Sequence, residues 1–139
     1  MSAQGEAGEG VAESTVRKRI AVVEDNADNR LLLRSIIDDQ YDITEFASGA
    51  EALVGMRKEP PDLVLLDISL PDIDGPALLR ALRADPRLRS MRAIAVTAHA
   101  MAHDRERLLA EGFDDYVSKP IVDDAAFLAT IDRWLHAQA

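Results

Sequence analysis

The sequence predicts an α/β fold, a doubly wound parallel sheet with helices on both faces. Three observations predict it. Apolar strand-like runs and amphipathic helix-like stretches alternate five times between Arg19 and His136. The connections are short, and right-handed crossovers between parallel strands must lay helices over both faces of the sheet. The central run, Leu63 to Leu66, is four consecutive apolar residues bounded by Asp62 and Asp67, the pattern of a strand buried on both sides.

The elements follow in order. Strand one is expected at about Arg19–Glu24. Helix one spans about Ala27–Asp39, with Leu32, Leu33, Ile36 and Ile37 on one side and Asp25 or Asn26 as its cap. Strand two is about Asp42–Phe46, and helix two runs from about Gly49 to Lys58, stopped by Pro60-Pro61. Strand three is Asp62–Asp67. Helix three opens after Asp74-Gly75 with Pro76 in its first turn and ends before Asp85-Pro86. Strand four is about Ala93–Thr97. Helix four is about Ala102–Glu111, closed by Gly112. Strand five is the short Asp115–Val117. Helix five runs from about Asp124 to His136, with Phe127, Ile131, Trp134 and Leu135 on one face.

Composition narrows the function. A chain of 139 residues with 47% apolar residues suits one domain with a normal core. The absence of cysteine excludes disulfides and thiolate metal sites. Residues 1–18 are rich in Gly, Ala, Glu and Ser without an apolar run, and are expected to be a disordered tail ahead of a domain over 19–139. They lack a secretory h-region, and no segment approaches the roughly 20 apolar residues that span a bilayer. A cytoplasmic protein away from the membrane is expected. The net charge of −9 argues against nucleic acid as a partner. Glu6, Glu9 and Glu13 cancel Arg17, Lys18 and Arg19, so the acidity belongs to the folded part. The run Arg80, Arg83, Arg87, Arg89 and Arg92 is read as a solvated helix end and loop.

The chemistry lies at strand ends. Asp67 closes strand three at the carboxyl edge of the sheet, where open α/β folds hold their ligands. Ile20 to Val23 likewise ends in the acids Glu24 and Asp25. Three carboxylates at neighbouring strand ends repel one another, and a cation among them makes such a cluster tolerable. Thr97 and Lys119 stand at the ends of strands four and five.

Taken in order, Glu24-Asp25-Asn26, Asp67, Pro71 with Gly75, Thr97-Ala98 and Lys119-Pro120, with Tyr116 three residues before Lys119, resemble the receiver domain of two-component response regulators. The resemblance covers about Arg19 to His136. It implies the flavodoxin-like, CheY-like strand order 2-1-3-4-5 with the site at the switch point. It also implies that Asp67 is the nucleophile taking a phosphoryl group from a histidine kinase or phosphotransfer protein. Mg²⁺ would be bound by Asp25, Asp67 and the backbone carbonyl of Ser69, with Glu24 holding the metal's waters. Lys119 and Thr97 would meet the phosphoryl oxygens, and Thr97 and Tyr116 would switch the helix 4–strand 5–helix 5 face. The Lys119-Pro120 bond is expected to be cis. Such a protein is a signalling phosphoacceptor rather than an enzyme, and a monomer by default.

Glu24-Asp25-Asn26, Thr97 to Met101 and Ser118 to Ile121 most resemble DivK-like regulators and the receivers of hybrid kinases. A kinase would then be both donor and downstream target. Met1 and the tail favour a stand-alone regulator over a hybrid-kinase receiver. A haloacid-dehalogenase-like phosphatase fails because Ser69 stands where a second acid is needed. A phosphate-independent interaction module is disfavoured because every reactive position is filled. His99 and His103 could be drawn as a metal pair but lack a third ligand; His99 and Ser69 are read instead as tuning phosphoryl lifetime.

Overall fold

The computed structural model describes residues 17–98 and 102–136. Most of the expected tail, His99 and the side chain of His103 lie outside the described residues. Five strands form, β1 (Arg19–Val23), β2 (Asp42–Phe46), β3 (Leu63–Asp67), β4 (Arg92–Thr97) and β5 (Asp115–Ser118). All pair in parallel, in the order β2-β1-β3-β4-β5. Between and after them run α1 (Ala27–Ile37), α2 (Gly49–Lys58), α3 (Gly75–Arg83), α4 (Ala102–Ala110) and α5 (Asp124–Leu135). The expected doubly wound sheet, with its strand order, is the one the chain adopts.

Side chains alternate along a strand, so each inner strand feeds two cores. Ala21, Val23, Val64, Leu66, Ala93 and Ala95 meet α2, α3 and α4 through residues such as Met56, Leu78 and Leu108. Ile20, Val22, Leu63, Leu65, Ile94 and Val96 meet Leu33 and Ile37 of α1 and Phe127 and Ile131 of α5. Each fully buried Leu or Ile stabilises the fold by about 1.5–3 kcal/mol, so these two layers hold the sheet rigid beneath its carboxyl edge.

Helix starts are fixed by side-chain caps. Asn26, Ser48, Asp74 and Asp123 each accept the backbone N–H three residues on, at 2.9, 3.2, 2.8 and 3.0 Å, replacing bonds the first turn lacks. Asn26 rather than Asp25 caps α1, which leaves the Asp25 carboxylate at the sheet edge.

Some boundaries differ from expectation. α1 ends at Ile37, two residues early, because the chain turns there to bury Tyr41. Pro86–Leu88 forms a short 3-10 turn capped by Asp85 that seats Leu88 in the core. A leucine at a helix-to-strand junction carries no periodic signal, so the sequence could not show it.

The arginine run is also more than solvated surface. Arg83 donates to the carbonyls of Arg89, Met91 and Gly112 at 2.9, 2.8 and 3.2 Å, stitching the loops after α3 and α4 together. Arg87 pairs with Asp85 at 2.8 Å, and Arg92 lies 3.7 Å from Asp114 and over the Trp134 ring.

Gly112 follows α4 with φ +108°, a backbone shape that side chains with a Cβ rarely adopt. An added Cβ would meet Leu79 only at an ordinary 3.6 Å, so the cost is conformational. Gly112→Ala is expected to lower stability by about 1 kcal/mol, read as a lower urea midpoint at unchanged slope.

Candidate functional site

Four of the five strands deliver a reactive residue to the same edge because all run the same way. Glu24 and Asp25 follow β1, Asp67 ends β3, Thr97 ends β4 and Lys119 follows β5. The register sets Val23 opposite Leu66 and Asp67 opposite Val96, so the β1 and β3 ends lie side by side. One carboxylate oxygen from each of Glu24, Asp25 and Asp67 lies within 4.8 Å of the others. Glu24 is 1% and Asp67 4% exposed, whereas Asp25 faces solvent. The cluster therefore has a buried floor and one open side.

Lys119 joins two of the acids. Its Nζ lies 2.8 Å from Glu24 Oε1 and 3.1 Å from Asp67 Oδ2. Burial opposes its charge, but the contacts with Glu24 and Asp67 outweigh that and hold the ammonium above the ordinary lysine range. The Lys119-Pro120 bond is cis, as expected. The Lys119 N–H donates to the Thr97 carbonyl at 2.8 Å, locking the loop after β5 onto the end of β4.

Backbone donors orient the acids. Asp67 Oδ1 accepts the Ser69 N–H at 2.9 Å and Glu24 Oε2 that of Asn26 at 3.1 Å. Glu24 Oε1 is wholly buried and accepts no well-aligned hydrogen bond among the described residues, so the ion pair with Lys119 is its compensation. A single ammonium offsets the mutual repulsion of three carboxylates only in part.

Thr97 is buried, and Tyr116 is half-buried against the core shared by α2, α3 and α4. Tyr116 stands opposite Ala95, two residues before Thr97, so the two side chains share one face of the sheet. The expected group is thus largely assembled: three acids clustered, Lys119 in contact with Glu24 and Asp67, Ser69 tied to Asp67, and Thr97 and Tyr116 along the neighbouring strands.

Sequence reasoning missed Arg30. From α1 it reaches back beneath the β1–α1 loop and donates to the carbonyls of Glu24 and Asp25 at 2.7 and 3.1 Å. Its Nε lies 3.5 Å from Glu45 on β2, which also pairs with Arg34. The one available signal was its place four residues after the Asn26 cap, within reach of the loop it follows. The sequence also hid an open pocket of about 310 Å³ beside the acids, lined by Glu24, Lys119, Leu32, Val96, Pro120 and Ile121. Those residues come from four separate segments, the loops after β1 and β5, helix α1 and strand β4.

The donor set suits a hard divalent cation. It is all oxygen, open on the Asp25 side, and carries a buried carboxylate oxygen lacking a well-aligned donor.

Comparisons with known proteins agree with this geometry. A family model for the response regulator receiver domain matches residues 20–132. The polar-differentiation response regulator DivK of Brucella ovis is 41% identical over 119 residues, spanning 85% of this chain and 96% of its own. Among solved structures, the receiver domain of the sensor histidine kinase PA1611 from Pseudomonas aeruginosa PAO1 is 32% identical, with a TM-score of 0.79. The match spans 88% of this chain and 100% of that one, which has a magnesium ion coordinated in its active-site cleft. A CheY-like receiver domain protein from Methanospirillum hungatei JF-1 is 31% identical with a TM-score of 0.75, over 86% of this chain and 94% of its own. With sheet order, strand-end acids and relatives all in accord, this chain belongs to the response regulator receiver domain family, a signalling domain of two-component systems rather than a classical enzyme.

Proposed function

We propose that the protein is a DivK-like response regulator that accepts a phosphoryl group on Asp67 from a histidine kinase or phosphotransfer protein. The observation that carries this reading is Lys119 bridging Glu24 and Asp67 inside a cluster of three acids. In the transfer, an Asp67 carboxylate oxygen forms a bond to phosphorus as the phosphohistidine N–P bond breaks. The electron pair returns to the imidazole nitrogen, which takes up a proton. Asp25, Asp67 and the Ser69 carbonyl would hold Mg²⁺, with Glu24 on its waters; the ion supplies charge neutralisation and a template for the phosphoryl oxygens.

The chain's own residues do the rest. Lys119 is the fixed ammonium for the phosphoryl oxygens, and the Thr97 hydroxyl is a donor at the end of the adjacent strand. Movement of Thr97 toward the new charge opens space on the face it shares with Tyr116. The surface of α4, β5 and α5 then repacks and is read by a protein partner, which for a DivK-like regulator includes a kinase.

The protein is proposed to act in the cytoplasm as a monomer, behind a tail over residues 1–18. Among the described residues no helix is long and apolar enough to cross a membrane. The receiver of a hybrid kinase is the second reading, favoured by the likeness to the PA1611 receiver; the higher identity to DivK puts the regulator first.

Incubation with acetyl phosphate and Mg²⁺, followed by intact mass measurement, tests the function. One added phosphoryl group is expected, and none when EDTA is present. An unchanged mass in the presence of Mg²⁺ overturns the reading.

A further inference from the structure

The loop between β3 and α3 carries Ser69, yet most of it is exposed: Ser69, Pro71, Asp72 and Asp74 all face solvent. Exposed loops wander unless something ties them down. This one is tied at its base, where the Ile68 N–H donates to the Val96 carbonyl at 3.3 Å and the Gly75 N–H to the Ile68 carbonyl at 3.1 Å. A Cβ at Gly75 would come within 2.6 Å of the Ile68 Cα, so the two ends of the loop are pinched together. Leu70 anchors its middle in the core, and one polar side chain ties its outer part to a helix.

Asp72 accepts the Gly49 N–H on Oδ1 and the Ala50 N–H on Oδ2, both at 3.0 Å. These are the first two amides of α2, and a helix start leaves such groups without intrahelical partners. Ser48 caps only the third, the Glu51 N–H. Asp72 therefore completes the cap of a helix 23 residues earlier in the chain. The two amides hold its carboxyl below the ordinary carboxylate range. Ile73 closes the joint, since a Cβ at Gly49 would lie 2.2 Å from its Cγ2. Helix α2 is a firm anchor, with Ala52 and Met56 fully in the core.

We propose that Asp72 is a positioning residue for the metal site: by capping α2 it fixes the loop that presents Ser69 beside Asp67. Its carboxylate touches no reacting atom. It acts by removing the freedom of the segment between the Ser69–Asp67 hydrogen bond and α3, so that the Ser69 carbonyl meets an incoming cation without a prior ordering step. This rests on the reading of the acid cluster as a Mg²⁺ site.

The test is Mg²⁺ affinity, measured by calorimetry well below the melting temperature. Wild type is the control: if it binds no Mg²⁺, the functional reading fails before this one is reached. Given wild-type binding, Asp72→Ala is expected to weaken Mg²⁺ affinity about threefold to tenfold. Asp72→Asn keeps an acceptor for Gly49 and should fall between the two. Gly49→Ala leaves Asp72 in place but displaces Ile73, and should weaken binding as well; it and Asp72→Asn carry the test if Asp72→Ala does not fold. A purely structural role would lower the melting temperature and leave the affinity of folded protein unchanged. Wild-type affinity in Asp72→Ala, or in both other variants where that one does not fold, overturns the proposal.

Discussion

Asp67→Asn is expected to fold, to accept no phosphoryl group from acetyl phosphate, and to melt slightly higher than wild type in the absence of divalent ions. Loss of transfer follows from chemistry, because an amide oxygen is too weak a nucleophile to displace a phosphoryl leaving group. The rise in stability follows from electrostatics. Asp67 is buried within 4.8 Å of Glu24 and Asp25, where like charges raise the free energy of the folded state. Asparagine keeps an oxygen that can accept the Ser69 N–H. Lys119 keeps its partner Glu24 at 2.8 Å. A gain of about 1 kcal/mol, or about 4 °C in Tm, is the expected size. Intact mass and a thermal melt in EDTA decide it. A phosphorylated variant would remove Asp67 from its role, and a lower Tm would mean the acids do not strain the fold.

Lys119→Ala should show the opposite balance. Removing the ammonium leaves Glu24 Oε1 buried without a counter-charge, and stranding one partner of a buried pair costs far more than the pair contributes. Lys119 is itself 24% exposed, so water recovers part of that cost. A loss of about 2 kcal/mol, close to 8 °C in Tm, is expected without metal. Mg²⁺ should still bind, and more tightly, because a competing cation has gone. Added Mg²⁺ should then restore most of the lost stability, since ligand that binds only the folded state stabilises it by mass action. The variant should fail to transmit the signal to its protein partner. Partner binding equal to wild type, or Mg²⁺ affinity weaker than wild type, would count against the assigned role of this lysine.

The fold was legible because its signals are local and repeated. Five apolar runs alternating with amphipathic stretches leave few topologies that right-handed crossovers allow. The run of three leucines and one valine in β3 announced its own burial. Helix ends were read from Pro60, Pro76 and Gly112, residues whose backbone limits do not depend on surroundings. Departures came where tertiary contacts outrank local preference, as at Tyr41, buried after a shortened α1, and at Leu88, buried by a 3-10 turn.

At the site the same division holds. Glu24, Asp25, Asp67, Thr97 and Lys119 could be found from sequence because each closes or follows a strand, and parallel strands end at one edge. Arg30 and Asp72 could not. Both act through backbone groups, Arg30 on the carbonyls just before its own helix at 2.7 Å and Asp72 on the first amides of α2 at 3.0 Å, and a side chain bonded to a main-chain carbonyl or amide leaves little pattern in residue type.

The sequence by itself determined the class of fold, the edge at which the acids collect and the sign of charge they invite, because periodicity and charge sign are properties of single segments. Only the tertiary structure decided that Lys119 meets both Glu24 and Asp67, and that Asp72 in the loop after β3 bonds the first amides of α2. Those outcomes depend on distances between segments far apart in the chain, which exist only once the two cores have packed.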